Sequence, residues 1–166
     1  MFSKFNLKAF LITIFLVAFS YMVYVPWFEP FIHETLGHSF VCTILMHGQT
    51  AIREEEGAYV TYCYFDKSYE FLLPLFYMAG ILAEFIFALI FFLIPPLSSF
   101  GGVGLYSIGV SFFKGSYMYD LKMLGLTFLS FPPFSYFFLI AGALFVGISS
   151  VVTYRFWEKV FEQKSI

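Results

Sequence analysis

LLPLFYMAGILAEFIFALIFFL, residues 72–93, carries a single charge, Glu84. A helix needs about 20 predominantly apolar residues to cross the hydrocarbon core of a bilayer, so this stretch is long enough to do so, and Pro95–Pro96 end it. The rest of the chain has the same character. Of its 166 residues 60% are hydrophobic and 24% aromatic, and only 12% are charged, about half the share usual in a soluble domain. Composition therefore predicts an all-α integral membrane bundle, a single membrane-embedded domain over residues 1–166.

Outward from that helix, Leu7–Phe28 reads as a retained first span, because its apolar run exceeds a signal-peptide core and lacks a small-x-small cleavage site. Pro26 and Pro30 are expected to break it, with Pro30 opening a second helix that runs to about Met46. The polar stretch HGQTAIREEEGAYVTYCYFDKSYE follows; its β-branched and aromatic half, AYVTYCYF at 58–65, predicts a small hairpin at a membrane face. Beyond residue 93, SSFGGVG reads as punctuation, Gly104–Phe113 and Tyr117–Ser130 as shorter helical pieces, FPPF at 131–134 as a break, and Ser135–Trp157 as the last span. The expectation is about four to five membrane helices or half-helices: an N-terminal span (1–28), a core (29–130) and a C-terminal span with its tail (131–166). Lys4, Lys8, Arg155, Lys159 and Lys164 favour cytoplasmic ends on both sides. A net charge of −2 offers no basic face for nucleic acid. Cys42 and Cys63 make no disulfide framework, and Cys42 reads first as a small buried hydrophobe, with metal ligation the lesser alternative.

The chemistry is concentrated in EPFIHETLGHSF, residues 29–40. All three histidines, His33, His38 and His47, fall within fifteen residues, and Glu34 stands inside an apolar run where a charge is expensive and usually functional. In H-E-x-x-H two histidines four apart share one helix face and one zinc ion, and the glutamate is the general base. Here the histidines are five apart, about 140° on an ideal α-helix. A π-bulge would absorb the extra residue, and Gly37 would ease it. A regular helix would instead pair Glu34 with His38 as ligands and leave no base. His47, before Gly48, reads as a C-terminal cap. Asp120 lies in an apolar neighbourhood near Lys114 and Lys122, where a carboxylate needs a cation; a metal or a lysine would serve. Glu84 is a candidate to orient a ligand histidine, to bind substrate backbone, or to stay protonated inside the bundle.

HETLGH at 33–38 matches the H-E-x-x-G-H motif of the dipeptidyl peptidase III family, which binds zinc at this longer spacing; that family's glutamate-rich third-ligand motif has only a poor counterpart in REEEGA at 53–58. AGILAEFIFALIFFL at 79–93 resembles the A-G-P-x-A-N-F-x-F-A helix of the site-2 proteases, intramembrane zinc metalloproteases, and the order zinc-like helix, hairpin, helix is theirs too. Ile81 and Glu84 replace that motif's proline and asparagine. The resemblance implies a third zinc ligand from a later aspartate; Asp120, in GSYMYDLKMLG, is the sole aspartate beyond residue 66, although it lacks the family's L-D-G setting. It implies one zinc per chain held by His33, His38 and Asp120, Glu34 as catalytic base, and a membrane-protein or signal-peptide-like substrate cut in or near its transmembrane segment. The alternative is an inactive membrane protein of the same fold that binds or chaperones a partner. Substrate cleavage in a membrane requires local unwinding of a helix whose backbone is internally satisfied, and residues 58–65 offer a sheet edge on which an opened backbone could be held.

Overall fold

The structure is a computed structural model that describes residues 5–55 and 58–163; Lys4 and Lys164, two of the cations near the chain ends, lie outside them. It is mostly helical, with one small antiparallel sheet. Three helical stretches, Leu7–Phe28, Lys67–Leu93 and Phe134–Gln163, are long and apolar enough to cross a membrane.

Helix α1 spans Leu7–Val23, and Asn6 caps it by accepting the Ala9 N–H (3.1 Å). The chain does not break at Pro26 or Pro30 as expected. Helical backbone continues through π-helical turns at Tyr24–Phe28, Phe31–Ser39 and Val41–Leu45. A proline inside an α-helix removes one hydrogen bond and clashes with the carbonyl four residues back. Widening the turn relieves that clash, which explains why two prolines here convert an α-helix instead of ending it. The segment Phe31–Ser39 is called the histidine helix below.

After Met46 the backbone turns at His47 (φ 49°), with the Gly48 N–H reaching the Cys42 carbonyl at 2.8 Å. His47 therefore closes the helix through its left-handed backbone, while its ring lies against Tyr69 (5.6 Å). Strands β1 (Gln49–Glu55) and β2 (Ala58–Tyr64) form the predicted hairpin, Gln49 opposite Tyr64 and Glu55 opposite Ala58. Cys42 and Cys63 are joined in a disulfide, so neither is a free hydrophobe or a metal ligand. The hairpin turns β2 back over the end of the helix that carries Cys42, which brings together two cysteines 21 residues apart. Asp66 then caps a short 3-10 turn, Lys67–Leu72; the Ser68 N–H it accepts (2.9 Å) holds its carboxyl below the ordinary range.

Helix α2 is Leu73–Leu93, α3 Ser98–Lys114, α4 Met118–Met123 and α5 Phe134–Gln163. SSFGGVG is not punctuation but the first half of α3, the most buried helix of the described residues. Between membrane helices, association depends on close backbone approach at small residues. Gly101 shows it: a Cβ there would stand 2.1 Å from the Phe92 backbone nitrogen. The segment expected over Tyr117–Ser130 divides into α4 and a 3-10 turn at Thr127–Ser130. The Asn6 N–H donates to Tyr154 Oη (3.1 Å), and the Thr153 hydroxyl contacts the Pro95 carbonyl (3.5 Å). The start of α1, the end of α2 and the last turns of α5 thus share one end of the bundle. The hairpin precedes α2 and occupies the other end, about 30 Å away along that helix.

Candidate metal centre

Three elements converge on one point. The histidine helix supplies His33 and His38; its wide turn places residues five apart over one another, and the two rings lie 4.8 Å apart. The extra residue is therefore absorbed by a sustained π-helix instead of a single bulge; the helix is not regular, yet Glu34 still lies with both histidines, their ligand atoms within 4.8 Å of one another. Helix α4 supplies Asp120 from its first turn. His38 Nε2 lies 3.1 Å from His33 Nε2, His33 Nε2 lies 3.2 Å from Asp120 Oδ2, and His38 Nε2 lies 3.4 Å from the same oxygen. A tetrahedral zinc ion about 2.0–2.1 Å from each ligand sets its ligands about 3.3–3.4 Å apart. The triangle, at 3.1–3.4 Å, is close to that size and also within hydrogen-bond reach.

The outer bonds decide which lone pairs face inward. The Phe76 carbonyl can only accept, so His38 Nδ1 donates to it (2.7 Å) and Nε2 is left bare. His33 Nδ1 lies 2.6 Å from Glu84 Oε1, while the Tyr117 hydroxyl donates to Glu84 Oε2 (2.6 Å). Glu84, fully buried on α2, therefore fixes the orientation of the His33 ring. With both Nδ1 atoms protonated, two imidazole lone pairs and a carboxylate oxygen face one another at 3.1–3.4 Å. Three acceptors at that distance repel unless a cation or a proton lies among them.

Glu34 stands beside this triangle. Its carboxylate lies within 4.8 Å of both imidazole donors, and its Oε2 is buried and hydrogen-bonded to nothing. A buried carboxylate oxygen without a partner is costly, and Glu34 lines the same cleft as His33, His38 and Asp120. The cleft, about 570 Å³, is walled by β2 from Tyr59 to Cys63, by Phe76 and Tyr77 of α2, and by Tyr119. The Thr61 hydroxyl donates to the Glu34 carbonyl (3.2 Å), which fastens β2 to the histidine helix. Since β1 occupies one edge of β2, the other has no strand partner among the described residues.

Two residues escaped the sequence reading. Tyr117 stacks on the His33 ring at 5.4 Å with 5° between planes, besides bonding Glu84; an aromatic among so many gave no signal. Gly80 was quoted only for its resemblance. A Cβ at Gly80 would stand 2.5 Å from His33 Cε1 and Nε2, and one at Gly37 would stand 2.5 Å from Gly80 Cα. Gly37 thus serves close helix approach as well as any easing of the backbone. Glu84 and Tyr117 hold the His33 ring so that it has nowhere to move. Gly80→Ala should therefore lower metal affinity about 5- to 150-fold, the range of a 1–3 kcal/mol overpacking penalty, as read by competition with a chromogenic chelator. Glu84→Gln should weaken binding by about 10- to 100-fold, the usual effect of removing such an outer partner. An unchanged chelator titration would remove Glu84 from the centre.

No family model, curated protein or solved structure matches this chain.

Proposed function

We propose that this chain is a membrane-embedded zinc endopeptidase that hydrolyses a peptide bond in or near a transmembrane segment of its substrate. The observation that carries the reading is the triangle of His33 Nε2, His38 Nε2 and Asp120 Oδ2 with the unpartnered Glu34 Oε2 beside it. Two neutral histidines and a carboxylate with one open position form a common catalytic zinc set. The ion would polarise the scissile carbonyl and bring the pKa of water near neutrality. Glu34 takes the proton from the attacking water and passes it to the leaving amine nitrogen. Glu84 and Tyr117 keep the His33 ring in register, and the Phe76 carbonyl does the same for His38. An unwound substrate backbone lies against the open edge of β2, directly above Glu34. Site-2 proteases, which the sequence resembles, perform this class of reaction.

We read the chain as multi-pass, α3 joining the three longer helices to give four crossings. The ends carrying Lys8, Arg155 and Lys159 face the cytoplasm. Disulfides persist in oxidising compartments, and the Cys42–Cys63 bridge lies at the end of the bundle opposite these cations. In intact cells a membrane-impermeant maleimide added after reduction should label Cys63; labelling only after permeabilisation would reverse the orientation.

A second reading rests on the same contacts. A proton on His33 would let that ring bridge Glu84 and Asp120 as a metal-free charge cluster, suited to an inactive member of the fold that binds a partner. Elemental analysis of detergent-purified protein separates the two. The peptidase reading expects about one zinc per chain; none, in protein never exposed to chelator, overturns it.

A further inference from the structure

Away from the metal centre, a groove follows α1 where it lies against α3 and α5. Its first part is a cavity of about 480 Å³ walled by Phe10, Ile14, Val151 and Tyr154. A second, of about 470 Å³, shares Val17 and Ala18 with the first and adds Val103 and Val146. Both are almost wholly apolar. Tyr21 and Tyr106 line the second cavity and also a third, of about 160 Å³, where the lining becomes polar: Glu29, Ser107, Ser111, Lys114 and Ser116. Shared walls make the three one path, oily along its length and charged at the end nearer the hairpin.

The dimensions and the charges together define an occupant. From Phe10 to Tyr21 the helix rises about 16 Å, close to half of the roughly 30 Å hydrocarbon core. The groove continues beyond Tyr21 to Glu29, so from its polar end it has room for an extended acyl chain. At the polar end Glu29 accepts from the Ser107 hydroxyl and from that of Ser111 (2.7 Å). A carboxylate has about four acceptor sites, so it retains capacity for a donor. Lys114, the last residue of α3, is exposed beside it, and among the described residues the two are not ion-paired with each other. One small cavity thus presents an anion and a cation side by side at the mouth of an oily groove.

We propose that this groove binds a single phospholipid whose head group carries a free primary ammonium, of the phosphatidylethanolamine class. The ammonium donates to Glu29, the phosphate lies against Lys114 and Ser116, and one acyl chain descends past Tyr21 to Val17 and Ala18. A choline head keeps the positive charge but has no N–H to donate, and a glycerol head has no cation. The proposal needs the helices to lie in a membrane and is independent of any metal or peptidase activity.

The test uses the whole chain in nanodiscs containing phosphatidylethanolamine, phosphatidylcholine or phosphatidylglycerol, each with the same photoactivatable acyl chain. Crosslinks are mapped by mass spectrometry. The ethanolamine probe should label Val17, Ala18 and Val146 about tenfold more than the choline probe, the worth of one charged hydrogen bond. Glu29→Gln should reduce it to the choline level, and Lys114→Ala, at an exposed position, should weaken all three phosphate-bearing probes at these residues. Ala18→Trp, which fills the groove, should abolish labelling there while leaving the rest of the lipid-facing surface labelled. Equal labelling by the three heads, or labelling spread evenly around the bundle, would show only annular lipid and overturn the proposal. So would a co-purified peptide crosslinked at Val17 in place of lipid.

Discussion

Asp120→Ala and His38→Ala should each leave the purified protein without zinc. Zinc in a preformed protein site is worth about 10–16 kcal/mol shared among its ligands, so each ligand contributes several kcal/mol. Loss of one should weaken binding by about a thousandfold, beyond what survives dialysis at micromolar protein. The two variants test different parts of the fold. His38 is on the histidine helix, whose wide turn already aligns it with His33, whereas Asp120 arrives from α4. If Asp120→Ala retained full zinc while His38→Ala lost it, the third ligand would be another group, and Glu34, which lies within 4.8 Å of both imidazoles, would be the nearest. Glu34 would then hold the ion and could not serve as base, which would favour the binding reading over the peptidase one. Because either alanine leaves buried polar neighbours unpaired, metal content is to be read on protein shown by gel filtration to be monodisperse.

Much of this centre was legible before any geometry. Glu34 and Glu84 stood out because a carboxylate in an apolar run demands a reason, and Asp120 because its apolar neighbourhood demands a cation and the site-2 protease resemblance implies a later aspartate. What was not legible has a common physical origin. The π-helical course of residues 24–45 depends on how two prolines resolve a backbone clash inside a packed bundle, and local propensity rates proline simply as a breaker. The glycines of α3 have the composition of a loop, yet they sit where neighbouring helices touch, a tertiary property. The Cys42–Cys63 bridge needed the hairpin register, since only the turn between β1 and β2 brings the second cysteine back over the first. Tyr117 was hidden by abundance: one tyrosine among 12 carries no mark until its hydroxyl is seen on Glu84.

Glu34→Gln is expected to abolish hydrolysis while leaving zinc bound. The amide is nearly the same size as the carboxylate but cannot take a proton at neutral pH. General-base catalysis by a positioned side chain contributes about 10²- to 10⁴-fold, so kcat for a reconstituted transmembrane substrate should fall by at least two orders of magnitude. Glu34 Oε2 has no hydrogen-bond partner to lose, and the Thr61 hydroxyl binds the backbone carbonyl, which the substitution keeps. Folding and the β2 contact should therefore persist, and substrate capture with them. The variant should still retain a crosslinked substrate against β2, now uncleaved. Three readouts taken together make the result decisive. Zinc at the wild-type level, capture preserved and cleavage lost assign Glu34 to the chemistry. Zinc lost with cleavage would make Glu34 a ligand. Cleavage unchanged would remove it from the reaction, and with it the peptidase reading, since of the other carboxylates that line this cleft Asp120 is already committed to the triangle and Glu55 accepts the Tyr62 hydroxyl on the hairpin.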